Sequence, residues 1–238
     1  MPVDLRNIKA VIFDLDDTLY DCSGTLVLRG RKKVAKTLAK LVNCSEDTAY
    51  LLQLKTDEEL GAMANIYEKI VSLYNLPPHC AAELLEEFIH VDISNINLFP
   101  DVIDTLVKLK KKGYTLILIT SGESHTQRKK IEVLGLNGNY FDEILIAERN
   151  NGKTKKNCFQ DVIQKYNLKP GEIVCIGDKI EDELTAANSL GITTVMFEHG
   201  RHYNAYLTGK AKHIKPDYSI KQIKEIITDF PPIRFAFI

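Results

Sequence analysis

The stretch Ala10-Val11-Ile12-Phe13-Asp14-Leu15-Asp16-Asp17-Thr18 joins a short apolar run to a dense acidic one. An unbroken apolar run rich in β-branched residues reads as a strand buried on both faces of a parallel sheet. Its end falls at the carboxyl edge, where open α/β sheets hold their ligands. Residues two apart on an extended chain face the same side, so Asp14 and Asp16 address one small volume. Two carboxylates that close repel unless a cation or a shared proton stands between them. The pair is therefore a candidate metal site or acid–base pair. The plainer alternative is an acidic turn capping the next helix, because Asp and Thr are good N-caps.

Downstream of this strand the texture changes. From about Thr25 to Ile93 the sequence reads as four helices: Arg31 to Leu41, Ser45 to Leu54, Asp57 to Leu73 and His79 to Ile89. Thr56 followed by Asp57, Glu58 and Glu59 reads as a helix start with acids in its first turn. Pro77-Pro78 must interrupt any helix. After Pro100 an α/β rhythm takes over. Its helices are Asp101 to Lys112, Ser124 to Leu134, Asn157 to Tyr166, Glu181 to Leu190 and a final one over Ile220 to Ile227. Its strands are Tyr114 to Ile119, Glu143 to Ile146, Ile173 to Ile176 and Thr193 to Met196. Alternation with short connections predicts a parallel sheet covered on both faces, with right-handed crossovers. The expectation is an α/β fold: a doubly wound, Rossmann-like core made of residues 1–20 and 96–238, with an all-helical domain, residues 21–95, inserted into it. The chain crosses between the two near Leu19 to Ser23 and Ser94 to Leu98. The apolar end Phe235-Ala236-Phe237-Ile238 is expected to pack on the core or in an oligomer contact.

Bulk properties narrow the classes. The 238 residues carry 45% hydrophobic and 26% charged side chains and a net charge of -1, with no overall drive toward nucleic acid. Five cysteines without a CxxC pair suggest reduced thiols rather than a zinc knuckle. No apolar stretch is long enough to cross a bilayer and no signal segment is visible, so a cytoplasmic protein without membrane attachment is expected.

Three further strand ends carry polar groups. Thr120-Ser121-Gly122 offers a hydroxyl and free backbone N–H groups to an anion, although Ser121 or Ser124 could equally be an ordinary helix cap. Gly177-Asp178 brings a third acid to the edge that holds Asp14 and Asp16, with Glu181, Asp182 and Glu183 one turn on. Oxygen-only ligands favour Mg²⁺ over zinc. Lys153-Thr154-Lys155-Lys156 could supply a cation, or simply be a solvated surface.

Together these segments resemble the haloacid dehalogenase (HAD) superfamily: Asp14-Leu15-Asp16-Asp17-Thr18 as its first motif, Thr120 as its second, a lysine of 153–156 as its third, and Gly177-Asp178 as its fourth. The resemblance implies a cap domain in the helical insertion. It implies Asp14 as the nucleophile that forms an aspartyl-phosphate and Asp16 as general acid and then base. It implies Mg²⁺ held by Asp14, the Asp16 backbone carbonyl and Asp178, with Asp182 or Glu183 near the metal's water shell. Thr120, the Ser121 backbone and Lys153 would grip the phosphate, with Lys155 and Lys156 as substitutes for Lys153. The implied activity is Mg²⁺-dependent hydrolysis of a small phosphorylated metabolite. A mutase of the β-phosphoglucomutase type is the alternative, with Arg29, Arg31, Lys32 and Lys33 as candidates for a second phosphate. A 2-haloacid dehalogenase fits poorly because both Asp14 and Asp16 are present, and a non-catalytic binding protein fits poorly because every motif position is filled.

Overall fold

Strand β1 (Ala10–Phe13) has all four residues buried and lies in the middle of the sheet. In the computed structural model, which describes residues 7–60, 65–138, 140–148, 151–209 and 214–227, β2 (Thr115–Ser121) and β4 (Ile173–Gly177) flank it in parallel. Strands β3 (Glu143–Ala147), β5 (Thr193–Phe197) and β6 (Tyr218–Ile220) extend the sheet to the parallel order 3-2-1-4-5-6. Buried on both faces, β1 and β4 are made of almost nothing but apolar residues, and in β5 the buried Thr194 hydroxyl donates to Asp217 at 2.9 Å.

Helices α5 (Val102–Lys111), α6 (Ser124–Val133), α7 (Lys155–Lys165), α8 (Thr185–Ser189) and α9 (Gly200–Leu207) belong to the same unit. Phe159 and Val162 of α7 pack with Ile12, Ile119, Cys175 and Met196 of the strands. Full burial of a side chain such as Phe159 contributes roughly 1.5–3 kcal/mol.

The chain divides into two compact units, one made of Met1–Asp21 with Asn95–Ile238 and one of Cys22–Ser94. The second is all helical among its described residues. A single π-type turn (Ser23–Val27) leads into α1 (Leu28–Val42), followed by α2 (Glu46–Leu60), α3 (Ile66–Leu73) and α4 (His79–Ile89). It has its own core, with Val34, Leu38, Tyr67, Ile70 and Leu84 at its centre.

Local structure departs from the sequence reading in three places. Thr56-Asp57 does not start a helix but lies inside α2. The Thr56 hydroxyl donates to the Leu52 carbonyl at 2.8 Å, and Asp57 pairs with Arg31 at 2.5 Å, so neither is needed as a cap. The segment Ile220 to Ile227 is not a continuous helix. Tyr218–Ile220 alternates buried, half-buried, buried as the edge strand β6, and only Ile223–Ile226 coils, as a 3₁₀ turn. The helix expected from Glu181 opens instead as a π turn (Ile180–Leu184) before α8, with the Thr185 hydroxyl on the Ile180 carbonyl at 2.6 Å. The Phe235 to Ile238 end lies outside the described residues.

Candidate active site

Register places the acids. Phe13 pairs with Ile176 on one side and with Leu118 on the other, so Asp14, Asp178 and Thr120 leave the same edge within two residues of those partners. The Asp14 N–H still donates to the Ile176 carbonyl at 2.9 Å. Asp14 is 6% exposed and Asp178 1%, a depth at which carboxylates are scarce unless paired. Glu183 joins them because the π turn swings it back. One of its oxygens accepts the Lys179 N–H at 2.7 Å and the other accepts the Lys155 ammonium at 3.0 Å. Gly177 makes this possible, since a β-carbon there would stand 2.5 Å from Glu183 Oε1.

Asp14, Asp178 and Glu183 each present an oxygen, and all three oxygens lie within 4.8 Å of one another. Lys155 Nζ donates to Asp14 Oδ1 at 2.6 Å. The result is three carboxylates facing one ammonium. Burial drives Asp14 up to about 7, with Lys155 opposing the rise and Glu183 adding to it. Asp178 is pushed well above the usual carboxylate range by burial and then by Glu183 and Asp17. Asp178 Oδ2 is buried without a hydrogen-bond partner. A hard divalent cation answers each of these features: it takes oxygen ligands, offsets the excess charge and occupies the orphaned lone pair. The donor set therefore fits Mg²⁺.

Asp16 lies in a different environment. Its carboxylate accepts Lys130 Nζ at 2.9 and 3.0 Å, Gln127 Nε2 at 3.2 Å and the Tyr20 hydroxyl. Burial alone would raise its pKa, but Lys130, Tyr20 and Gln127 outweigh burial and hold it at about 2. Both Lys130 and Gln127 come from α6, the helix that begins just beyond Thr120 and Ser121. The sequence reading missed them because their partner is more than a hundred residues away and their burial shows only in the fold.

The structure puts the candidate lysines in different surroundings. Lys153 points to Asp161 at 3.1 Å and its side chain is 40% exposed, whereas the Lys155 side chain is 4% exposed and lies among the acids. Thr154 explains the register: it caps α7 in a reciprocal box with Asn157, which puts Lys155 at the first helical position. Of the two acids left open after Asp178, Glu183 joins the cluster, while Asp182 faces the Lys179 ammonium at 3.8 Å. Thr120 is 1% exposed near the end of β2, and the Ser121 carbonyl accepts Gln127. Three of the four basic residues Arg29, Arg31, Lys32 and Lys33 have partners inside the helical unit. Arg29 donates to the carbonyls of Asp92 and Ser94 at 2.7 and 2.6 Å, Arg31 to Asp57, and Lys33 to the His90 carbonyl at 2.8 Å.

A parallel sheet with acids gathered at the carboxyl ends of β1 and β4 defines a class of enzyme. Residues 8–191 match the haloacid dehalogenase-like hydrolases, and the chain belongs to that family. Among its relatives, the glyceraldehyde 3-phosphate phosphatase of Pyrococcus furiosus is 27% identical over 229 residues, which is 94% of this chain and 93% of that one. The N-acylneuraminate-9-phosphatase of Homo sapiens is 25% identical over 239 residues, 93% of each. The crystal structure of a HAD phosphatase from Thermococcus onnurineus is 27% identical, with a TM-score of 0.61, covering 95% of this chain and 100% of that one.

Proposed function

We propose that this chain hydrolyses a small phosphomonoester in two steps, with Asp14 as the group that bonds to phosphorus. The enzyme is a HAD-type phosphatase, a phosphoric monoester hydrolase. The observation that carries the detailed reading is the buried meeting of Asp14, Asp178 and Glu183 around an unpartnered Asp178 oxygen, with a single lysine against Asp14. So much uncompensated negative charge costs folding energy and is maintained at a site that binds a cation and a phosphate.

In the first step an oxygen of Asp14 attacks phosphorus, the ester P–O bond breaks, and the leaving oxygen takes a proton from Asp16. In the second step Asp16 takes a proton from water as that water attacks phosphorus, which releases inorganic phosphate and regenerates Asp14. Asp16 is an anion in the free protein. A phosphate dianion beside it raises its proton affinity, and that is how it acquires the proton it later gives. Lys155, whose pKa Asp14 and Glu183 raise despite its burial, stays cationic, and it would neutralise phosphate oxygens together with the Thr120 hydroxyl and the backbone around Ser121. Asp14, Asp178 and the Asp16 carbonyl would hold Mg²⁺, with Glu183 alongside. When bound, Mg²⁺ supplies the positive charge that keeps Asp14 ionised and lets one anion approach another.

The substrate class is a small phosphorylated metabolite, in line with the sugar-type phosphates named for the relatives. In this reading the helical unit is the cap that selects it. Among the described residues no helix is long and apolar enough to cross a membrane, and the five cysteines are free thiols, which favours a reducing, cytoplasmic setting. The test is phosphate release from glyceraldehyde 3-phosphate and p-nitrophenyl phosphate with and without Mg²⁺. Release that depends on Mg²⁺ and disappears in Asp14→Asn is expected. Equal rates in wild type and variant would overturn the assignment.

A further inference from the structure

The Asp16 carboxylate accepts four hydrogen bonds from three side chains. Oδ1 receives the Tyr20 hydroxyl and Lys130; Oδ2 receives Gln127 and Lys130. Lys130 is the only one of the three partners seen to bridge both oxygens, and it therefore fixes the plane of the carboxylate. It does so from a buried position, 9% exposed, while 28% of the Asp16 side chain remains accessible. Asp16 can thus still be reached by an incoming oxygen, yet it is already oriented.

The arrangement is built in from a second direction. The Gln127 amide donates to the Ser121 carbonyl at 2.5 Å as well as to Asp16, which sets which end of the amide is nitrogen. Gly122, with φ at +143°, lies directly under it: a β-carbon there would stand 2.8 Å from Gln127 Nε2. The glycine after Thr120 and Ser121 thus has a steric reason, namely room for an amide that reaches the acid.

We infer that Lys130, steadied by Gln127, is the positioning residue that holds the carboxylate of Asp16 where it exchanges a proton with the leaving-group oxygen. The inference rests on the phosphatase reading above. It gives α6, a helix outside the acid cluster, a part in the proton-transfer half of the reaction and none in the attack on phosphorus.

Leaving-group acidity separates those two halves. Phenyl phosphate expels a phenol close to tyrosine in acidity, with a pKa of about 10, and needs its leaving oxygen protonated. p-Nitrophenyl phosphate, nearly the same shape, expels a much more acidic phenol and needs little help. Correct placement of a general acid is worth roughly 100- to 10,000-fold in rate, so loss of orientation alone should forfeit a part of that. Lys130→Met is expected to lower kcat with phenyl phosphate about tenfold more than with p-nitrophenyl phosphate, and Lys130→Arg to restore most of the difference. Gln127→Leu, which leaves the ion pair in place, should show the same discrimination in smaller measure. Because each variant is compared with itself on two substrates, a smaller folded fraction cancels. Equal losses on both substrates in Lys130→Met and Gln127→Leu would overturn the positioning role and leave the phosphatase reading intact. Wild-type protein that releases no phosphate from either compound in Mg²⁺ would instead defeat the phosphatase reading itself.

Discussion

Each of the two units buries a charged network, and the two are balanced differently. In the helical unit, Arg31 and Asp57 meet at 2.5 Å with side chains 10% and 12% exposed. Gln53, wholly buried, donates to the Arg31 carbonyl at 3.0 Å and accepts the Tyr67 hydroxyl at 3.1 Å. One positive charge meets one negative charge beside these neutral groups. At the carboxyl edge of the sheet, Lys155 pairs with Asp14 and Glu183, and Asp178 lies beside them with an oxygen that has no hydrogen-bond partner. One acid matched to one cation holds helices together; three acid groups gathered beside one lysine suit the arrival of a further cation. Asp57 is half-buried whereas Asp14, Asp178 and Glu183 are buried, so depth and the ratio of acid groups to cations together separate scaffold from site.

The sharpest way to break this contrast is to remove a charge from each network. Asp14→Asn is expected to abolish phosphate release by several orders of magnitude, while thermal unfolding without metal shows a protein at least as stable, since one of three crowded carboxylates is gone. Arg31→Met is expected to do the reverse. Taking the guanidinium away from half-buried Asp57 should cost about 1–3 kcal/mol in denaturant unfolding, with kcat per folded molecule close to wild type. If Asp14→Asn proved the less stable of the two, the contrast would fail.

A cation should restore balance in one unit only. Mg²⁺ at about a hundred times its dissociation constant is expected to stabilise the wild type by about 2.7 kcal/mol, and Asp178→Asn should lose most of that gain. A thermal shift as large in the variant would place the ion elsewhere.

The remaining effects concern pH, and Asp14 and Asp16 should act in opposite senses. The Asp14 pKa rises from 3.8 to about 7 in the folded, metal-free protein. The folded state then holds its proton more tightly, and the contribution to stability is full below pH 4 and lost as pH climbs toward 7. The Asp16 pKa falls from 3.8 to about 2, so its contribution is present above pH 4 and lost on acidification toward pH 2. Unfolding free energy measured across pH 2 to 8 should flatten between 4 and 7 in Asp14→Asn and below 4 in Asp16→Asn. Unchanged slopes in both would contradict these environments.

Much of the fold was legible because its signals are local. Ala10–Phe13, Ile173–Gly177 and Thr193–Phe197 announce buried strands by composition alone, and the acids that follow two of them mark the edge. The lysine was not legible from spacing. Lys153 and Lys155 differ only in where α7 begins, and that is decided by the Thr154–Asn157 box. The box could have been read, and a lysine at a first helical position, where the dipole disfavours it, was the sign of a partner elsewhere. Lys130 and Gln127 depend on how α6 lies against the loop after β1, which no local pattern encodes. The misread end has a physical cause too: Ile220, Ile223 and Ile226 are three apart, and that helical spacing outweighed the alternation of Tyr218, Ser219 and Ile220.

The sheet order has a consequence for how the chain is made. β1 is synthesised first yet sits fourth from one edge of the finished sheet, and Ala10 must wait for Thr115 and then Ile173 before both its flanks are occupied. All of Cys22–Ser94, with its separate core, leaves the ribosome in that interval. Nascent chains halted once Ser94 has cleared the ribosome but Thr115 has not should therefore carry a collapsed helical unit behind an apolar, unpaired first strand, and that strand is the segment a chaperone would have to shield.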